Sequence, residues 1–143
     1  MHMSFDYALN QLQQRNPAAI ELETPLTIAE LPTPALILDL PKMRRNIAKM
    51  ASHLSAHSKG FRPHGKTHKC PLICQEQLNA GAVGVCAAKV SEASAFVAGG
   101  ISDVLITSPI ATLTKANVVA ELAAQTDQLK IVVDSDIGLD VLF

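Results

Sequence analysis

Aromatic residues are scarce in this chain: tryptophan is absent, and one tyrosine with four phenylalanines makes up 3% of 143 residues. So few stacking platforms weigh against single-stranded nucleic acid as a ligand, because base binding there depends on aromatic faces. Charge of one sign is also missing, with 12 Lys and Arg against 13 Asp and Glu and a net charge of −1. That balance removes the electrostatic case for duplex nucleic acid or an anionic membrane surface. Nowhere do the ~20 apolar residues of a membrane span run together, and the mostly polar residues 1–16 lack the apolar centre of a secretory signal. Three cysteines, Cys70, Cys74 and Cys86, are an odd number without secretory context, which argues against a disulfide framework. The chain reads as a soluble, cytoplasmic globular protein, 48% hydrophobic and long enough for a single core.

What is present is an alternation of short apolar runs with amphipathic stretches. Residues 4–15 predict a short helix with Phe5, Ala8, Leu9 and Leu12 on one face, stopped by Asn16-Pro17. An extended, proline-punctuated lead-in follows to residue 33, and residues 35–40 (ALILDL) predict a compact strand. Pro41 suits the first turn of a helix striped by Met43, Ile47, Met50, Ala51 and Leu54. Strands are then expected at about 60–65, 83–88, 103–107 and 130–134. Helices are expected at about 71–80, closed by Gly81, then from Ser91 to Gly99-Gly100, and at about 112–124. Such alternation predicts an α/β fold with a parallel sheet. Even spacing suits either a doubly wound sheet or the first half of a (β/α)8 barrel, which needs about 250 residues when complete. The chain stops at Phe143 within the start of another helix, so a barrel reading makes it a partial one.

The densest chemistry lies in residues 62–69, RPHGKTHK. Gly60 to Thr67 matches the phosphate-loop pattern G-x-x-x-x-G-K-[ST], and Asp134 after the IVV run resembles the magnesium-assisting Asp of such proteins. That pattern works only where a buried strand enters and a helix follows, with free N–H groups lining the loop. Here an amphipathic helix with Lys42, Arg44, Arg45 and Lys49 on its wet face precedes it, and Pro63 removes a donor. Read as a strand, the segment turns Arg62, His64 and Lys66 to one face and Phe61, Pro63 and Gly65 to the other. Cationic groups facing a barrel interior require an anionic ligand. Neighbouring positive charge also favours the free amine of a lysine, the form that captures an aldehyde. A phosphorylated aldehyde, pyridoxal phosphate, answers both demands, with Lys66 as its Schiff-base residue and Arg62 and His64 as cofactor-binding residues.

Other titratable groups carry less. His68, Cys70 and Cys74 lie within reach of one soft metal, but no second half of a zinc site exists, and two small buried helix cysteines are expected instead. His2, His53 and His57 have no evident partners. Lys89 and Glu92, Thr107 and Ser108, and Asp134 and Ser135 each follow a strand, at the functional rim of a parallel barrel. Each has a plainer role as a helix cap or a solvated rim residue.

TPALILDL, RRNIAKM, RPHGKTHKCP and GAVGVCAAKVSEA together resemble the N-terminal part of the D-threonine aldolase family. That group includes 3-hydroxy-D-aspartate aldolases and eukaryotic-type D-serine dehydratases, fold type III pyridoxal-phosphate enzymes. The resemblance covers residues 33–143 and is densest over 61–110. It implies an N-terminal fragment: residues 1–33 a helix and lead-in, residues 34–143 the first part of an alanine-racemase-like barrel starting near residue 60. Residues 35–39 would join a separate β-domain. It also implies Lys66 as the cofactor's anchor and a D-3-hydroxy amino acid as substrate, cleaved to glycine and an aldehyde with the help of a divalent metal. The metal's ligands, in this reading, lie outside the chain, and the assembly is a homodimer. Family members commonly carry Gln before the KVSEA run, where this chain has Ala88. A D-serine dehydratase making pyruvate and ammonia, and a non-catalytic pyridoxal-phosphate carrier, are the alternatives. The 143 residues alone are expected to be inactive or nearly so.

Overall fold

The computed structural model describes residues 26–142. The helix expected over residues 4–15 and most of the lead-in lie outside those residues. The chain divides into two compact units, one ending at Asn46 and one beginning at Ile47.

Within the first unit, Thr27 and Glu30 close a 3-10 turn over Ile28–Glu30 on each other. The Thr27 N–H and hydroxyl donate to the Glu30 carboxylate at 2.8 and 2.7 Å, which holds that carboxyl below its usual range. Residues 35–40 do not form the expected strand. Residues 35–39 pair with nothing as a strand, and Leu36, Ile37 and Leu38 are exposed. An apolar run becomes a strand only where a neighbouring strand satisfies its backbone, and the described residues provide none. Asp39 instead caps α1 (Leu40–Ala56), its carboxylate accepting the Lys42 N–H at 2.8 Å. Pro41 falls in the first turn as expected. Met43, Ile47, Ala51 and Leu54 are half-buried at helical spacing, while Met50 is exposed.

The second unit is built on three parallel strands, β1 (Val85–Ala87), β2 (Val104–Ile106) and β3 (Leu129–Ile131), in the order β1-β2-β3. Val85 pairs with Val104, and Val104 with Leu129. Helices α2 (Pro71–Asn79), α3 (Val90–Ala98), α4 (Leu113–Ala123) and α5 (Asp136–Leu142) alternate with them. Val85, Ala87, Val104 and Ile106 are fully buried with Phe96 and Ala93 of α3, and Val119 and Leu122 of α4 join that core with Cys74, Ile101 and Ile110. Cys86 and Leu105, pointing to the other face, are only half-buried. One face of the sheet is therefore packed, whereas parallel sheets in complete α/β folds are covered on both.

The strand expected at 60–65 reduces to an extended edge beside β1. Phe61 and Pro63 carbonyls accept the Val83 and Cys86 N–H groups at 2.9 and 2.8 Å, and His64 bridges Cys86. Pro63 has no N–H to continue the ladder, and at Gly65 the chain tightens into a 3-10 turn over Gly65–Thr67.

Helix starts correct the sequence reading in two places. Lys89, not Ser91, occupies the N-cap of α3, and the Glu92 carboxylate reaches back to accept the Ala88 N–H at 2.8 Å. Cys70 is the residue before α2 rather than a buried helix residue. Cys74 does sit in the core, where burial pushes its thiol up to about 12. Thr112 and Ser135 cap their helices, accepting the Lys115 N–H at 3.4 Å and the Gly138 N–H at 3.2 Å.

Candidate functional site

The C-terminal ends of the extended edge, β1 and β2 bring His64, Lys66 and Thr107 together. His64 is the N-cap of the 3-10 turn, its Nδ1 accepting the Lys66 backbone N–H at 3.3 Å. Its other ring nitrogen, Nε2, lies 3.2 Å from the Thr107 hydroxyl. That hydroxyl donates to the Ala87 carbonyl at 3.1 Å, and the Thr107 N–H meets the same oxygen at 2.9 Å. Lys66 is exposed, and among the described residues its amine has no hydrogen-bond or ion-pair partner.

The turn is clamped from below and behind. Gly65 is buried under Phe96 of α3, and a Cβ at residue 65 would collide with the Phe96 ring and approach the Cys74 sulfur at 3.4 Å. Only glycine fits there. Lys69 closes the turn, donating its N–H to the Gly65 carbonyl at 2.7 Å in a left-handed conformation, φ 51°. Its ammonium lies 3.8 Å from the carboxylate of Glu92, which is 8% exposed. Glu92 thus ties the turn carrying Lys66 to the loop between β1 and α3. Sequence reasoning placed Glu92 on the rim; its approach to Lys69, 23 residues earlier, is a product of the fold.

Arg62 is not brought to Lys66. Its guanidinium forks onto the Asp103 carboxylate at 2.7 and 3.1 Å, and Lys130 Nζ reaches the same carboxylate at 2.7 Å. Asp103 immediately precedes β2, so the cluster lies at the opposite end of the strands. The Arg62 hydrogen bonds hold the Asp103 carboxyl below its usual range, and Asp103 in turn raises Arg62. Gly84 makes room for the pair: a Cβ there would overlap Arg62 Nη1 and stand 2.7 Å from Asp103 Cγ. Asp103 heads the strand expected at 103–107, and no motif in the sequence marks it as the partner of Arg62.

The remaining candidates disperse. Lys89 and Ser108 line a cleft of about 680 Å³ between α3 and α4, with Lys115 on its far wall. Asp134 is exposed. His53 and His57 are exposed on α1 with ring centroids 4.5 Å apart. His2 lies outside the described residues. Gly60 to Thr67 follows α1 rather than a strand, so its phosphate-loop pattern lacks the required setting. Among the described residues no three His, Cys, Asp or Glu side chains come together to hold a metal ion. No helix among them is long and apolar enough to cross a membrane.

No protein-family model matches the chain. It is 44% identical over 108 residues to the 3-hydroxy-D-aspartate aldolase of Paracoccus denitrificans, a match covering 74% of this chain and 28% of the aldolase. The crystal structure of D-threonine aldolase from Filomicrobium marinum superposes with a TM-score of 0.77 at 42% identity, over 80% of this chain and 31% of that one. A D-threo-3-hydroxyaspartate dehydratase variant in the metal-free form gives a TM-score of 0.76 at 32% identity, over 82% and 31%. The chain therefore spans about a quarter of the length of the curated relatives it matches.

Proposed function

We propose that this chain, which shares its family with 3-hydroxy-D-aspartate aldolase, D-threonine aldolase and D-threo-3-hydroxyaspartate dehydratase, carries the cofactor anchor of a pyridoxal-phosphate lyase. The reaction is cleavage of a D-3-hydroxy amino acid to glycine and an aldehyde. The observation that carries this reading is Lys66: a partnerless amine on a rigid turn, at the end of the strands where parallel α/β folds place their chemistry.

The residues present fit the cofactor. Lys66 offers the amine that an aldehyde requires, and the buried Gly65 behind it keeps that amine at the rim. His64 stands beside it with a ring oriented at both nitrogens. Pyridoxal phosphate, when bound, supplies an electron sink for the bond cleaved at the substrate's Cα. Arg62 serves from the far end of the strand, where its pair with Asp103 fixes the edge segment that leads to His64 and Lys66. A divalent metal at the substrate hydroxyl is part of the reading, supported by the dehydratase variant described as metal-free. The described residues do not form its site.

A partial barrel is the architecture that best accommodates the sheet. Parallel crossovers are right-handed, so strands laid down in sequential order place successive helices on one face. The order β1-β2-β3 runs in one direction, as successive strands of a barrel do. The half-buried Cys86 and Leu105 then face the barrel interior, and the exposed residues 36–38 are offered to a separate β-domain. Elimination of water, as in a dehydratase, is the second reading, supported by the dehydratase match. Products formed from D-threonine and D-serine by the complete protein separate the two.

The direct test is borohydride reduction of the chain in the presence of pyridoxal phosphate, followed by peptide mass spectrometry. The label should fall on Lys66 and vanish in Lys66→Ala. Label spread evenly over Lys59, Lys69 and Lys89 would sink the reading.

A further inference from the structure

Thr107 follows β2, whereas Lys66 lies on the 3-10 turn beyond the edge segment. The influence of Thr107 runs through His64. The Thr107 hydroxyl has one proton, and its geometry directs that proton to the Ala87 carbonyl at 3.1 Å. Toward His64 Nε2, at 3.2 Å, the hydroxyl can then only accept, so Nε2 carries the ring proton. A neutral ring protonated at Nε2 leaves a lone pair on Nδ1. That lone pair is what the Lys66 backbone N–H meets at 3.3 Å. With the proton on Nδ1 instead, ring and backbone would face each other donor to donor, and the turn would lose its cap.

We propose that Thr107 is a positioning residue for Lys66, acting by fixing the Nε2-protonated tautomer of His64 so that Nδ1 caps the Lys66 turn. The inference deepens the lyase reading, in which Lys66 anchors the cofactor, and its role toward that cofactor rests on it. Three strand ends are joined in series: Ala87 of β1 accepts, Thr107 after β2 relays, and His64 on the edge segment delivers. A hydroxyl is required at residue 107; a methyl of the same size cannot accept from Nε2.

The test uses the complete chain with ¹⁵N-labelled histidine. Long-range ¹H–¹⁵N spectra distinguish the two imidazole tautomers, and His64→Gln identifies the signal. In wild type, His64 should appear as the Nε2–H form. Thr107→Val should mix the tautomers or move the proton to Nδ1, and should slow borohydride-trapped labelling of Lys66 roughly fivefold, the effect of one lost hydrogen bond. Thr107→Ser, which keeps the hydroxyl, should restore both. Circular dichroism confirms that both variants fold, and Thr107→Ser keeps the question answerable if the valine variant does not. Either change without the other in Thr107→Val overturns the assignment, as does a serine variant that behaves like valine. A wild-type chain that never labels at Lys66 overturns the lyase reading itself, a result distinct from any difference between the variants.

Discussion

At His68, burial and hydrogen bonding act on one ring. Nδ1 accepts the Cys70 N–H at 3.1 Å, while Nε2 is buried beside the Gln77 side chain. Burial disfavours the imidazolium and lowers the pKa of His68 from its ordinary value. As pH falls through about 6.5 the unfolded chain takes up this proton before the folded one does. Stability should therefore be fully present above that pH and decline below it, towards the lower folded-state pKa. Urea midpoints between pH 5 and 8 should show this slope in wild type and less of it in His68→Asn, whose amide oxygen replaces the Nδ1 acceptor. Equal slopes would assign the effect elsewhere. Part of this scale is legible in sequence: alternation alone turns His64 and Lys66 to one side and Gly65 to the other. The same alternation turns Arg62 inward, but which acid meets it is a long-range fact, since Asp103 lies 41 residues away. His68 reads as a metal candidate in a linear pattern, because burial, which decides its character, has no local signature there.

Among the elements, the edge segment beside β1 depends on the second glycine of the GAVGVCAAKVSEA run. Gly84, at φ 155°, leaves the space into which Arg62 and Asp103 fit. Gly84→Ala should push the guanidinium off its carboxylate and cost roughly 2–4 kcal/mol, seen as a lower urea midpoint. A loss under about 0.5 kcal/mol would show that the pair moves aside freely. Helices and strands of the second unit were readable because their apolar periods differ and Gly81, Thr112 and Ser135 punctuate them. The strands proved shorter than their apolar runs, three residues each, since pairing is limited by the neighbour's length as well as by composition. Residues 35–40 misled for a related reason: a β-rich hexamer is silent about where its partner strand comes from. Asp39, read as part of that strand, signals the start of α1 once helix capping is considered.

For the molecule as a whole, the chain matches 28% of the length of a curated relative, and its sheet has one packed face. The proposed reaction places a divalent metal at the substrate hydroxyl, and among the described residues no three His, Cys, Asp or Glu side chains come together to hold one. The 143 residues by themselves should accept the Lys66 label yet release no measurable aldehyde from D-threonine; robust turnover would refute this division of labour. The contact between Gly65 and Phe96 gives that division a mechanical sense. With no side chain between them, the turn rests directly on an aromatic ring locked in the core. The height of the lysine above the sheet is thus gauged by the thickness of a rigid spacer, not by the slack of a loop. A lysine seated in this way has its position set by the packing of its own segment.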